Sequence, residues 1–355
     1  MKNKINRSYI LKETVLFFLL ILSLSVVCTY SVTAFNMVND HHSMYTNWRG
    51  FNHIGLSSFN QIVINPTNGT IADALKVSDD VLLSPGTYTG EGNTNISIIG
   101  NKYIHALNPK TVTIDGENKS NLFNVNDNSN LNLTNIELNR GNSGEYGGGI
   151  LSNGMLNIKN CIFQNNIASN GCAVFINNTN VTMENTTFKK NGELTDSKAI
   201  QGSGLFINGT SNCNINNSII TDNKGLTGAG LVSTGSLGEK SKITINNSLI
   251  FDNNCFFMGS GLMCIYSNVS IESSKIYGNI INNKYDKTNS TAGGGIFASN
   301  SNLQINNSGF NNNEALIGSG LCSYDGSTKI EESNFTNNHA RRYGGGISIG
   351  QGRLL

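Results

Sequence analysis

Three places in the middle of the chain set a charged side chain directly before an asparagine that stands three residues past Phe or Ile: Lys190-Asn191, Asp222-Asn223 and Asp252-Asn253. If the stretches between them are successive turns of one coil, Lys190, Asp222 and Asp252 stack in a column at the strand spacing of about 4.8 Å. Two carboxylates that close approach the roughly 5–5.5 Å separation of a retaining glycosidase. The same Asp-Asn pair is also ordinary corner chemistry, since both residues tolerate a left-handed backbone. No other constellation competes. His41, His42 and His53 lie within a short stretch but match no zinc spacing, and no Cys or carboxylate group completes them. No Ser-His-Asp set and no phosphate loop is visible, and neither a metal nor a cofactor is implied.

The elements that would position that column are written as a repeat. A glycine step opens each unit: Gly147-Gly148-Gly149-Ile150, Gly171-Cys172-Ala173-Val174, Gly202-Ser203-Gly204-Leu205 and five more, starting at Gly228, Gly259, Gly293, Gly318 and Gly344. These starts are 24, 31, 26, 31, 34, 25 and 26 residues apart. An alternating segment follows each step, as in Leu156-Asn157-Ile158-Lys159-Asn160. The unit closes on an apolar residue with Asn three positions on: Phe163/Asn166, Phe188/Asn191, Ile220/Asn223, Ile250/Asn253, Ile276/Asn279, Phe310/Asn313 and Phe335/Asn338. Alternation of period two makes strands, because successive side chains point to opposite faces. A period near 25 predicts about three short strands per turn of a solenoid in which each coil buries its apolar face on its neighbours. The fold class is therefore all-β, a right-handed parallel β-helix. The aligned columns predict an inward apolar stack from Leu138 to Phe335 and two asparagine ladders, one through Asn135, Asn160, Asn185, Asn217, Asn247 and Asn307, the other from Asn166 to Asn338.

The paired glycine step with Phe-x-x-Asn resembles the repeat of chlamydial polymorphic outer-membrane proteins, and more closely the β-helical adhesin-like surface proteins of methanogenic archaea. The second resemblance reaches upstream to Thr70-Ile71-Ala72-Asp73-Ala74-Leu75 and Asp80-Val81-Leu82-Leu83-Ser84-Pro85-Gly86-Thr87-Tyr88. It covers about residues 60 to 350 and implies a fold and a place on the cell surface, not a shared active site.

Upstream, Lys2, Lys4, Arg7 and Lys12 precede an apolar run from Val15 to Val27, and Val32-Thr33-Ala34 offers a small-residue cleavage site. Residues 1–34 read as a signal peptide, or, if uncleaved, as a membrane anchor over 14–35. Residues 35–60 are an irregular lead-in, and 61–355 form the β-helix, with a short amphipathic helix over Thr70–Val77 suited to cap its first coil. After the last glycine step Arg353-Leu354-Leu355 supplies no further strand. The chain is thus expected to lack its C-terminal end, or to have that end covered by another chain. Six cysteines follow Cys28, and their columns favour buried thiols, with Cys255–Cys264 the pair nearest to an exception. Sequons such as Asn95, Asn132, Asn180, Asn216, Asn246 and Asn306 could carry glycans on an exported chain.

Net charge of +1 with 13% charged residues excludes a nucleic-acid surface. Lyase or hydrolase chemistry on a β-helix needs clustered carboxylates with a base or calcium, and the chain is poor in these. The reading is a non-enzyme, an exported adhesin-like display scaffold binding glycans or surface proteins of other cells. A polysaccharide lyase or glycoside hydrolase is the second reading, and a structural envelope component the third. The site follows from where coils are interrupted. The connection after Phe-x-x-Asn is usually short, but swells at Gly192–Gln201 and Ile280–Ala292, which leave the same corner about 14 Å apart. The coils between carry Asp222, Lys224, Asp252, Phe256 and Phe257, the predicted ligand-binding set.

Overall fold

The computed structural model describes residues 61–193, 200–282 and 291–354. The expectations for residues 1–60 lie outside them, including the signal or anchor, Cys28 and the three histidines. Among the described residues no helix is long and apolar enough to cross a membrane.

The chain winds into a parallel β-helix of about ten turns. Three parallel sheets of 12, 10 and 10 strands run the length of the coil, each strand pairing with its counterpart one turn away. The predicted apolar column is in register throughout, from Leu138↔Phe163 and Phe163↔Phe188 to Phe310↔Phe335. Its phenylalanines stack, with ring centroids 4.9 Å apart for Phe163–Phe188 and 4.4 Å for Phe310–Phe335.

The expected three strands per turn are exceeded in the C-terminal half. A fourth sheet of five short strands joins Lys224–Gly225, Asn254–Cys255, Ile280–Ile281, Glu314–Ile317 and His339–Tyr343. It encloses a small second core of Ala229, Cys255, Ile281 and Ala315. Arg353–Leu354 forms a strand against Ser327–Thr328, which corrects the expectation of no strand after the last glycine step. Strands Gly86–Thr89 and Asn101–Ala106 were likewise not anticipated.

Two polar ladders tie the coils. In the buried one, each Asn amide donates to the Oδ1 of the next coil's Asn, from Asn166→Asn191 through Asn313→Asn338, at 2.9–3.0 Å. The second amide hydrogen goes back to a backbone carbonyl of the preceding coil, as Asn253 does to Ile220 at 3.0 Å. Each Oδ1 also accepts the preceding Asn's backbone N–H, as in Asn223→Asn253 at 3.1 Å. Every hydrogen-bonding group of the side chain is used, which is what burial of an amide requires. The other asparagine column sits at corners with φ of 45–64°, including Ser273 and Glu332 where the asparagine is replaced. Its amides bond across coils at Asn185→Asn160 (2.7 Å) and Asn160→Asn135 (3.0 Å). Directly after it stands a hydroxyl ladder, in which the N–H of Ser218, Ser248, Ser274 and Ser308 each donates to the next serine Oγ at 3.0–3.1 Å.

The glycine step serves the buried ladder. A Cβ on Gly204, Gly230, Gly261, Gly295 or Gly320 would strike the next coil's carbonyl and crowd a ladder amide. The helix Ile71–Val77 is N-capped by Thr70 and buries Ile71, Ala74 and Leu75 beside the first strands. The cysteines Cys161, Cys172, Cys213, Cys255, Cys264 and Cys322 are free and buried, and burial pushes each thiol up to about 12.

Asn253→Leu should destabilise the coil by about 3 kcal/mol or more, because it orphans Asn223's amide and N–H and the Ile220 carbonyl. Asn247→Gly, at a left-handed corner, should change stability by under about 1 kcal/mol. Chemical unfolding of both variants checks the contrast. The six thiols should react with a disulfide reagent at pH 8 only as fast as the coil opens, and all at once on denaturation.

Candidate functional site

Lys190, Asp222 and Asp252 do stack. Strands Thr187–Lys189, Ile219–Thr221 and Leu249–Phe251 pair as Lys189↔Thr221↔Phe251, so the next residue of each falls in one column. That column is a left-handed corner all along the coil: Arg140, Asn165, Lys190, Asp222, Asp252, Gly278, Asn312 and Asn337 have φ of 49–63°. The carboxylates are therefore where corner geometry puts them, one strand spacing apart, and both are exposed.

Their surroundings distinguish this corner from the others. Thr221 Oγ1 donates to Asp222 Oδ2 at 3.1 Å and fixes that carboxylate. One coil on, the column holds Gly278, and Asp252 Oδ1 occupies the space a Cβ there would need. Burial, and then the charge of Asp222, raise the Asp252 carboxyl above the ordinary aspartate value. Burial, and then the charge of Asp252, raise the Tyr277 phenol in turn. Phe251 and Tyr277 face outward, half-buried, in register on adjacent coils. Their rings are parallel, with centroids 4.8 Å apart and an interplanar angle of 1°. The result is an aromatic pair stacked face to face, beside the corner that carries Asp222 and Asp252.

The predicted set is only partly brought to this surface. Lys224 is exposed on the short fourth sheet, two residues beyond Asp222. Phe257 is half-buried at the following turn. Phe256 is corrected: at 5% exposure it packs inside, and its N–H donates to the Leu226 carbonyl at 3.1 Å. The two insertions fall largely on residues 194–199 and 283–290, outside the described residues. Phe251 and Tyr277 were missed, although each directly follows an inward residue, Ile250 or Ile276, and strand alternation alone turns it outward. Among the described residues no group of three His, Cys, Asp or Glu side chains is placed to hold a metal ion.

These sheets define the class of the fold, a parallel β-helix. Pectate lyase Pel9A is similar at 15% identity over 83% of this chain and 79% of that one, with a TM-score of 0.42. The Streptococcus pneumoniae surface protein and adhesin PfbA is similar at 10% identity over 82% of this chain and all of that one, TM-score 0.36. The catalytic domain of a GH87 α-1,3-glucanase, in complex with nigerose, is similar at 10% identity over 86% and 71%, TM-score 0.36. None of the three bears on the chemistry of the corner. No family model and no curated protein matches the chain.

Asp222→Asn should bring the Asp252 carboxyl down toward the ordinary value, as carboxyl-carbon NMR titration would read. A raised carboxyl favours the folded state at acid pH, and that contribution is lost as pH climbs from the unfolded value through the raised one. Asp252→Asn should accordingly raise the melting temperature relative to the native chain at pH 7 and leave it unchanged at pH 3.

Proposed function

We propose that this chain is an exported, adhesin-like surface scaffold whose β-helix displays a glycan-binding corner at Asp222, Asp252, Phe251 and Tyr277, flanked by Lys224 and Phe257. The observation that carries the reading is the parallel Phe251–Tyr277 pair beside the two carboxylates. An aromatic face packs on the apolar face of a pyranose ring, while carboxylate oxygens accept its hydroxyl hydrogens. Outward aromatic rings contribute nothing to the inward core; their mutual stacking steadies the corner and holds ring surface beside the carboxylates for a ligand. The resemblance of the repeat to adhesin-like surface proteins supports the cell-surface setting. Glycans of other cells, or their surface proteins, are the partners, and residues 1–34 supply export or attachment.

A glycoside hydrolase is the second reading, favoured by one observation. Asp252 is a carboxyl raised by burial and by a second carboxylate one coil away, which is how a general acid is prepared.

The full chain should bind glycans on an array and on whole cells. Phe251→Ala with Tyr277→Ala should weaken that binding at least about tenfold, given the 0.5–1.5 kcal/mol typical of each aromatic contact. Unchanged binding in a folded double mutant would remove the aromatic pair from the site. Release of reducing ends by the native chain, abolished in Asp252→Asn, would turn the assignment to the hydrolase.

A further inference from the structure

A second surface feature lies on the first coils, on the outward side of the twelve-stranded sheet. Asp80, Tyr103, His105, Leu107, Asn132 and Thr134 line an open cavity of about 420 Å³. The strands Asp80–Leu83, Asn101–Ala106 and Asn130–Thr134 pair as Asp80↔Tyr103↔Asn132 and Leu82↔His105↔Thr134, so the cavity spans three coils. Inward Val81 and Ile104 leave their neighbours Asp80, Tyr103 and His105 to point out.

The polar side of this cavity is built rather than loose. His105 Nε2 lies 2.8 Å from Asp80 Oδ1, and the two side chains are only 29% and 24% exposed. Gln61 Nε2 lies 3.4 Å from Asp80 Oδ2 and donates to that carboxylate from the residue before the strand Ile62–Ile64. The amides nearby are already committed: Asn135 donates to the Ala106 carbonyl at 2.7 Å, and Asn132 to the Lys102 carbonyl at 3.3 Å. Hydrogen-bonding capacity is left on the Asp80 carboxylate and on the Tyr103 and Thr134 hydroxyls. The apolar side is unusual for a surface. Tyr103 is 42% exposed and Leu107 75% exposed, beside an oriented carboxylate.

We propose that this cavity is a second saccharide subsite, separate from the corner, taking a single neutral pyranose residue. Its ring would lie on Tyr103 and Leu107, with hydroxyls donating to Asp80 and exchanging hydrogen bonds with Thr134. The carboxylate is held in place before any ligand arrives, which lowers the ordering cost of binding. The volume falls within the roughly 300–1,000 Å³ of small-molecule sites.

Saturation-transfer NMR on the full chain tests this, using methyl glycosides of glucose, galactose, mannose and N-acetylglucosamine. At least one glycoside should receive saturation from the native chain, reduced more than about fivefold by Tyr103→Ala and by Asp80→Asn. The signal should persist when Phe251 and Tyr277 are both alanine. Both cavity variants alter outward side chains, and circular dichroism checks that each is folded. No saturation of any glycoside by the native chain overturns the proposal. So does a signal that survives both cavity variants, or one lost only in the corner mutant, which would leave the corner as the saccharide site.

Discussion

The buried amide ladder from Asn166 to Asn338 is the interaction on which the rest of the coil depends. A side-chain amide inside a protein is costly unless all its groups are paired. Here each amide pairs with the coil on either side, through its nitrogen, its oxygen and the backbone N–H. The ladder consequently fixes register. A coil shifted by one residue would bring a residue such as Lys190, Asp222, Asp252 or Gly278 to the place where a buried amide is needed, besides reversing every strand face. The glycine step follows from the same demand, because the ladder amide lies against the glycine of its own coil and the next coil's carbonyl lies beyond. Two sequence features far apart in each repeat are thus one steric arrangement, and they must vary together.

The second constraint is the left-handed corner, which each regular coil uses repeatedly. It selects residues by backbone alone, so Asn, Asp, Gly and occasionally Lys or Arg fill it while their side chains stay free to face solvent. That freedom is how a repetitive scaffold acquires local chemistry without disturbing its core. Arg140 shows the structural use of such a position, reaching back to Asp115 at the end of the strand Val112–Asp115. Arg140 makes a paired contact to Asp115 at 2.7 and 2.9 Å, and Glu117 N–H donates to the same carboxylate at 2.9 Å. Burial alone would raise the Asp115 carboxyl, yet these bonds hold it below the ordinary value. Asp222 and Asp252 occupy equivalent geometry with no ion pair to a described residue. Their position is explained by the corner, and their exposure beside aromatic rings is what the corner leaves undetermined.

How much of this was legible in the sequence divides along the same line. Whatever repeats was readable: the apolar column, both asparagine ladders and the coil itself follow from Gly-x-Gly and Phe-x-x-Asn. The serine ladder repeats as well, but Cys161 and Thr186 stand in its column in the early coils and mask the pattern. The short fourth sheet was hidden because Lys224–Gly225 and Asn254–Cys255 are two residues long, too short for alternation to register. Within the candidate corner, the acidic pair was found because it belongs to a repeated column. The aromatic pair was attributed to Phe256 and Phe257 on grounds of proximity to an insertion, whereas Phe256 belongs to the interior. Phe251 and Tyr277 break the column they occupy, between Thr221 and Asn311, and repeat reasoning discounts residues that depart from the repeat.

A coil locked in this way cannot close around a ligand. Every strand is paired on both sides along most of its length, so a coil that moved would break two rows of backbone hydrogen bonds and two ladder rungs. Binding on such a surface relies on side chains already in place, and the shallow faces described above bury little of a sugar. Modest affinity at each site is the physical consequence. Strength must then come from repetition, through several contacts on one rigid rod engaging one extended partner. Rigidity helps there, because fixed spacing keeps the effective concentration of the second contact high once the first is made. The property that limits each site singly, a scaffold without give, is the one that favours simultaneous contacts at fixed spacing.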